Sequence, residues 1–380
     1  MEKEPIKVLQ VAPLGAGGVT SLILNIAEKL DDRKVKFDYL TFYDRTEFNE
    51  KRACANGSKK YVVPIDHFAN PIIRAIYKFF YSIVIIKKAK ADIIHINGSK
   101  PYDVLVGVAA KFAGVKTVIF HSHNSSMSQT SGVKGLLMSA LKLFIPIAAD
   151  YYFACSELAA QFMFPKSILN KKNYTIIKNA IDTERYYFSE QIRDEYRKKL
   201  NIENKIAIAH IGRFTHQKNH KFLIDIFEKV HEKNSETVLV LIGMGELFDD
   251  VKAYVQKKKL ENSVVLYGTS SEVPQLLQAF DCFLMPSFYE GLPVVGVEVQ
   301  AAGLPTILSD TITKEVAITD LVKYVSLDKS EEEWADIVLD AVEKVKDRRL
   351  YVEQVKKAGF DVTETANYLM NFYRKILGTK

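Results

Sequence analysis

Apolar and polar positions along this chain follow two alternating rhythms. Apolar runs rich in β-branched residues occupy 6–12, 92–97, 116–120 and 150–154, and again 205–211, 237–242, 263–267, 281–285 and 305–308. Between them apolar positions recur at helical spacing; in 220–233, Phe222, Leu223, Ile226, Phe227 and Val230 share one face. Short apolar runs bounded by turns and separated by helical patterns mark parallel strands buried on both faces, which predicts an α/β fold of doubly wound sheets. The chain of 380 residues exceeds what one core holds, and the polar stretch 189–204 separates two complete strand–helix series. The expected division is a Rossmann-like domain at 1–185 and a second at 186–360, with an amphipathic helix near 363–377. Two such domains facing one another leave a cleft at the C-terminal ends of their sheets, where α/β ligands bind.

Composition narrows the class. The hydrophobic fraction of 48% and charged fraction of 26% are ordinary for a globular protein. Cys54, Cys155 and Cys282 lie far apart without C-x-x-C spacing, which reads as reduced thiols in a cytoplasmic protein. The charged start MEKEPIKVLQVA runs straight into a strand, so neither a signal nor a transit peptide is expected, and no charge-free apolar stretch predicts a membrane span. The net charge of +6 is uneven: residues 1–180 hold 25 Lys/Arg against 14 Asp/Glu, and residues 181–380 hold 27 against 32. A basic half suits nucleic acid, an anionic membrane or a phosphorylated substrate, but no zinc-finger, RNP or basic-zipper pattern is present. Within it, 71–90 carries Arg74, Lys78, Lys87, Lys88 and Lys90, with no acid between Asp66 and Asp92 and mostly Ile, Phe, Tyr and Val between the cations. Such a helix either lies on the inner face of an anionic membrane or packs on the sheet with solvated lysines.

Four motifs carry candidate chemistry. In Pro286-Ser-Phe-Tyr-Glu-Gly-Leu-Pro293 and the helix after it, Pro293 suits a first helical turn, and the amides of Gly291, Leu292 and Val294 would offer a phosphate site. Glu298 falls among Val294, Val295, Val297 and Val299, where a carboxylate needs a partner: the hydroxyl pair of a ribose, or a base elsewhere. In His210-Ile-Gly-Arg-Phe-Thr-His-Gln-Lys-Asn-His220, Gly212 lets the chain turn. Arg213 and Lys218 then leave one loop as two fixed cations for a diphosphate, or else as solvated loop charge. His216 and His220 stand four apart, but without a third ligand they make a poor metal pair, and no Asp-x-Asp occurs in the chain. Leu14-Gly-Ala-Gly-Gly-Val19 is an incomplete dinucleotide fingerprint with Asp38 about twenty residues on; it suits a nicotinamide or the backbone approach of a diphosphate to Gly17 and Gly18. Last, Phe120-His-Ser-His-Asn124 ends a strand, from which His121 is expected to emerge toward the cleft.

Together these motifs resemble the family 4 glycosyltransferases of GT-B fold, particularly those that build capsular polysaccharides and exopolysaccharides, over nearly the whole chain. The E-x7-E signature appears as Glu290 and Glu298 with Gly-Leu-Pro after the first; the phosphate pair appears as Arg213 and Lys218, and the N-terminal glycine loop as Gly17-Gly18. Lys178-Asn-Ala-Ile-Asp182 looks like the family's hinge, with Ala180 replacing glycine. The resemblance implies a metal-independent, retaining transfer of a sugar from a nucleoside-diphosphate donor, UDP-linked, with no further cofactor. The acceptor, a glycan or a polyprenyl-diphosphate-linked glycan, falls to the first domain and the donor chiefly to the second. It places the helix at about 361–380 back on the first domain, closure about the 180–204 segment, Glu298 on the ribose, and Glu290 on the sugar hydroxyls. His121 falls near the donor sugar, and Arg213 and Lys218 on the diphosphate. The competing readings are a sugar-nucleotide epimerase of the same architecture, a nicotinamide oxidoreductase using Gly15–Gly18 and Asp38, and a catalytically silent subunit of an assembly complex.

Overall fold

A computed structural model of the chain describes residues 4–15, 17–124, 133–343 and 347–378. The chain divides into two compact units, Met1–Ala180 with Val362–Lys380, and Ile181–Asp361. Among the described residues the first unit is built on seven strands: β1 (Ile6–Val11), β2 (Val35–Thr41), β3 (Lys60–Val62), β4 (Ile93–Gly98), β5 (Thr117–Ser122), β6 (Tyr151–Ala154) and β7 (Thr175–Ile176). They pair in parallel in the order β3-β2-β1-β4-β5-β6-β7. The second is built on six: β8 (Ile206–Ile211), β9 (Thr237–Ile242), β10 (Val264–Gly268), β11 (Cys282–Met285), β12 (Thr306–Ser309) and β13 (Val322–Val325), ordered β10-β9-β8-β11-β12-β13. Strand order reverses beside β1 in one unit and β8 in the other, so loops at the C-terminal ends of β1, β4, β8 and β11 open at switch points, where α/β sheets bind ligands.

Each sheet is covered on both faces by apolar helix stripes. In the first unit, Leu22, Leu24 and Ile26 of the helix Gly18–Lys29 and Val362, Ala366, Leu369 and Tyr373 of the helix Val362–Ile376 share a core with Val8, Phe37, Ile93 and Phe153. The opposite face carries the helices Pro71–Ala89 and Val104–Phe112. In the second unit the helix His220–Lys233 buries Leu223, Ile226, Phe227 and Val230 against Ile208, Leu239 and Trp334.

The stretch 189–204 is not a separator. It holds the helix Glu190–Leu200, an integral part of the second unit. Arg193 pairs with Asp281 and donates to the Phe280 carbonyl; Arg197 donates to the Ala279 and Ile202 carbonyls and to Asp281. This helix packs only a narrow stripe, Ile192, Tyr196 and Leu200, on the core and is otherwise charged, so hydropathy reads it as a linker. The chain crosses between units at 180/181 and 361/362.

Candidate active site

In the second unit two loops meet. Gly212, after β8, has no left-handed backbone; it is small because a Cβ there would lie 2.9 Å from Lys218 Cε and 3.1 Å from His210 Nε2. Its role is therefore room for the Lys218 stem rather than a turn. From the short turn His216–Lys218, the Lys218 ammonium sits 2.7 Å from Glu290 Oε1, an ion pair lying off the line of a hydrogen bond, with side chains 12% and 10% exposed. The Glu290 loop is clasped to the Lys218 loop by backbone and rings. The Phe288 amide donates to the Gln217 carbonyl at 2.9 Å, Gln217 Nε2 to the Tyr289 carbonyl at 2.9 Å, and Asn219 Nδ2 to the Pro286 carbonyl at 3.2 Å. His216 stacks on Phe288 at 4.8 Å. Behind them, the Ser309 and Thr311 hydroxyls donate to the Ser287 carbonyl.

Arg213 behaves differently. It leaves the same loop, but its side chain is 77% exposed and its Nε lies 3.9 Å from the exposed Glu246. The two cations are thus one held and one loose, where the sequence predicts two fixed ones. A third segment, absent from the sequence reading, supports the loop from below. Gly243 (φ +144°) and Gly245 follow β9, and a Cβ on them would lie 2.0 Å from the Gly212 carbonyl oxygen and 2.3 Å from that of Phe214. The Phe214 amide donates to Met244 at 3.1 Å and the Leu247 amide to Phe214 at 3.1 Å. A Gly-x-Gly directly after a buried strand was the available signal.

The helix after Glu290 begins at Val294, with Pro293 as its N-cap in extended backbone rather than inside its first turn. Gly291, Leu292 and Val294 are partly buried and Pro293 buried, so the first-turn amides end this loop as expected of a phosphate site. Glu298, one helical turn on, takes its partner from neither a base nor the same motif: the Tyr186 hydroxyl donates to Glu298 Oε1 at 2.8 Å. Burial pushes the Glu298 carboxyl up, opposed by that hydrogen bond and by Arg185.

His210 Nδ1 donates to the Leu284 carbonyl at 2.8 Å, and burial holds its ring far below the ordinary histidine range. His220 stacks on Phe214 at 4.2 Å and is pushed down to about 4, first by burial and then by Lys218. His216 and His220 therefore face different aromatic partners, and no group of three His, Cys, Asp or Glu that could hold a metal occurs among the described residues.

In the first unit, Gly17 is an extended, exposed N-cap and Gly18 opens the helix; Ala16 lies outside the described residues. Asn49 Nδ2 donates to the Gly15 carbonyl and Thr20 Oγ1 to that of Pro13. Among the described residues a Cβ at Gly15 or Gly17 would meet nothing within 4 Å, so the loop leaves an open approach to its backbone. Asp38, the acid a nicotinamide would need, sits within β2 and accepts the Lys59 amide at 2.7 Å, a bond that serves the sheet.

His121 does not emerge. It is 2% exposed, because β5 is an inner strand and its ring packs against His95, Phe153 and His123. Its Nδ1 is 3.3 Å from His95 Nε2, and His95 Nδ1 shares a 2.7 Å hydrogen bond with the Tyr373 hydroxyl. His123 lies at 3.9 Å against the His121 ring, with ring nitrogens 3.1 Å from Asn97 Oδ1 and Asn179 Oδ1. Burial pushes His95 down to about 3, His123 to about 4 and His121 well below its ordinary value, so all three rings are neutral near pH 7. Of the motif, His123 is the partly exposed ring.

Residues 192–358 match the family described as Glycosyl transferases group 1, and residues 16–185 match Glycosyltransferase Family 4. A Bacillus subtilis (strain 168) protein named as a glycosyltransferase, EpsF, is 30% identical over 98% of this chain and 97% of its own length. An Escherichia coli UDP-Gal:alpha-D-GlcNAc-diphosphoundecaprenol alpha-1,3-galactosyltransferase is 28% identical over 60% of this chain and 59% of its own. The crystal structure of Anabaena Alr3699/HepE in complex with UDP and glucose superposes with a TM-score of 0.73 at 17% identity, over 97% of this chain and 99% of the other. At that identity the likeness establishes the fold, two Rossmann-like domains of GT-B type.

Proposed function

Since the chain belongs to the family of group 1 glycosyl transferases, we propose that it moves a sugar from a UDP-sugar to a glycan or polyprenyl-diphosphate-linked acceptor in cell-surface polysaccharide biosynthesis, with retained configuration and without a metal. The observation that carries this reading is the Lys218–Glu290 ion pair, clasped between two loops beside a helix N-terminus. The UDP held by the Anabaena protein and the UDP-sugar and lipid-linked acceptor in the E. coli enzyme's name support the choice of substrates.

When a donor diphosphate enters, Lys218 exchanges Glu290 for the phosphates and Arg213 swings in from solvent. Both then stabilise charge that grows as the bond from the anomeric carbon to the phosphate oxygen breaks, which lowers the barrier because it is stronger in the transition state. Glu290, released from Lys218, accepts hydrogen bonds from the sugar hydroxyls, and Glu298 from the ribose. The acceptor oxygen attacks the face the diphosphate leaves and passes its proton to the departing phosphate oxygen; no covalent intermediate forms. Two cations and a helix end take the electrostatic part a divalent metal would otherwise play. Gly17 and Gly18 receive the donor at their open backbone. His121, neutral, contributes as a buried hydrogen-bonding ring near the sugar rather than as a cation.

Contact of 71–90 with the inner face of the membrane belongs to the same reading. Residues 67–149 hold ten Lys/Arg against two Asp/Glu, and the helix Pro71–Ala89 exposes Ile72, Ile73, Ile76, Phe80 and Val84. Lys78 is excepted from the free cations: it is buried and pairs with Asp103 at 3.2 Å. No helix is long and apolar enough to cross a membrane among the described residues.

The test is transfer from labelled UDP-hexoses to synthetic polyprenyl-diphosphate-linked sugars in excess chelator, with the anomeric proton of the product read by NMR. An inverted product or a strict need for magnesium would refute the mechanism. A new nucleotide sugar formed without acceptor would point instead to the epimerase.

A further inference from the structure

We infer that Tyr186 is a positioning residue for nucleoside recognition: it holds the Glu298 carboxylate in the orientation that reads the ribose hydroxyls. The inference rests on the proposed ribose role of Glu298 and adds the residue that acts through it.

Tyr186 ends the short turn Thr183–Tyr186, and that turn is fixed to its own unit. Ile181 forms a parallel bridge with Asp361, its amide donates to the Phe360 carbonyl at 2.9 Å, and the Thr183 hydroxyl donates to Asp361 Oδ2. The phenol ring is buried in the core of the second unit, and its hydroxyl reaches across 112 residues of sequence to Glu298 Oε1 at 2.8 Å. Burial and the facing carboxylate keep this phenol protonated, so it enters the bond as donor.

This bond has two consequences. An ionised carboxylate only accepts, and offers about four acceptor sites; one goes to Tyr186, leaving enough for both hydroxyls of a ribose. Glu298 stands on a helix among Val294, Val295, Val297 and Val299, so its orientation depends on the phenol rather than on its immediate neighbours. A hydroxyl delivered from a rigid turn also restricts the flexible glutamate before the donor arrives, the preorganisation that binding otherwise has to supply. A tyrosine that served only to satisfy a buried carboxyl would alter stability alone. One that aims it must also alter discrimination between ribose and deoxyribose.

The experiment is calorimetric titration of the full chain with uridine diphosphate and with 2′-deoxyuridine diphosphate, on wild type, Tyr186→Phe, Glu298→Gln and Glu298→Asp. The wild type should prefer the ribonucleotide by roughly tenfold or more, the factor expected of a hydrogen bond to a charged group. Tyr186→Phe, which keeps the ring, should lose most of that preference while still binding the deoxy compound. Glu298→Asp, which draws the carboxylate back from phenol and ribose alike, should lose it too and is the control for the ribose assignment; Tyr186→Met, with the same loss expected, serves should Tyr186→Phe misfold. A Tyr186→Phe protein that folds and keeps the full wild-type preference overturns the inference while leaving Glu298 on the ribose. Equal binding of both nucleotides by the wild type, unchanged in Glu298→Gln, overturns the ribose assignment and the inference with it.

Discussion

Lys218→Met separates what the Lys218–Glu290 pair does for stability from what it does for catalysis. Methionine keeps the stem beside Gly212 but removes the ammonium, and with it the 3.6 Å hydrogen bond to Met285 Sδ, leaving the Glu290 carboxylate, 10% exposed, without its cation. Breaking a buried pair from one side costs about 3–5 kcal/mol, and slight solvent access at both groups favours the lower end, about 3 kcal/mol. For a unit the size of Ile181–Asp361, each kcal/mol moves the melting temperature by about 2–4 °C, so a drop of about 6–12 °C is expected in calorimetry. Adding Glu290→Gln in the same chain removes the stranded charge and should restore most of that loss. Transfer activity should fall about a hundredfold or more in the single variant, and the second substitution should not rescue it, because the cation for the diphosphate is still missing. A melting temperature within 2 °C of wild type for Lys218→Met would refute this reasoning and show that the pair carries no folding energy. A further loss on adding Glu290→Gln would show that the carboxylate has another partner.

Gly17→Ala should leave the melting temperature unchanged, since the backbone is extended and a Cβ meets nothing described nearby, yet lower kcat/KM if a diphosphate approaches that backbone; unchanged kinetics would remove Gly17 from the site. Stability should fall as pH drops from about 6.5 to about 4. His95, His123 and His220 have folded-state values of about 3 to about 4, below the ordinary 6.5, so the unfolded chain binds more protons in that window, at about 1.4 kcal/mol per pH unit for each such proton. Urea midpoints that stay flat between pH 7 and 5 would contradict this. Ile76→Glu and Phe80→Glu, both at exposed positions, should reduce co-sedimentation with phosphatidylglycerol vesicles without changing stability; retained binding would detach this helix from the membrane reading.

Much of the fold was legible in the sequence, because inner strands of a parallel sheet are unbroken apolar runs. The nine predicted runs coincide with β1, β4, β5, β6 and β8 to β12, and the helix 220–233 has the predicted bounds. The four unread strands among the described residues are at or near the sheet edges: β2 alternates Lys36 and Asp38 with apolar residues, β13 carries Lys323 among four residues, and β3 and β7 have three and two residues. In the site, Lys218, Glu290 and the helix start were legible because each belongs to a short strand–loop–helix motif. The clasp between Gln217 and Tyr289, and the bond from Tyr186 to Glu298, join residues some 70 and 112 apart, and no local spacing encodes such a pairing. His121 was misjudged for a similar reason: a strand end reads as open, but the rings that bury it, His95 and Phe153, come from the neighbouring strands β4 and β6.

The bridge between Ile181 and Asp361 sets the chain's entry into the second unit beside its exit. In topological terms, 181–361 is a cassette carried within the first unit's fold, attached through two neighbouring backbone positions. Domain insertion is tolerated because a domain's chain ends commonly lie side by side at its surface. If the second unit selects the donor as proposed, replacing the cassette whole would change that choice while the first unit and its closing helix stay as they are. A chimaera joined at 180/181 and 361/362 is the natural form in which to graft a relative's sugar specificity onto this chain.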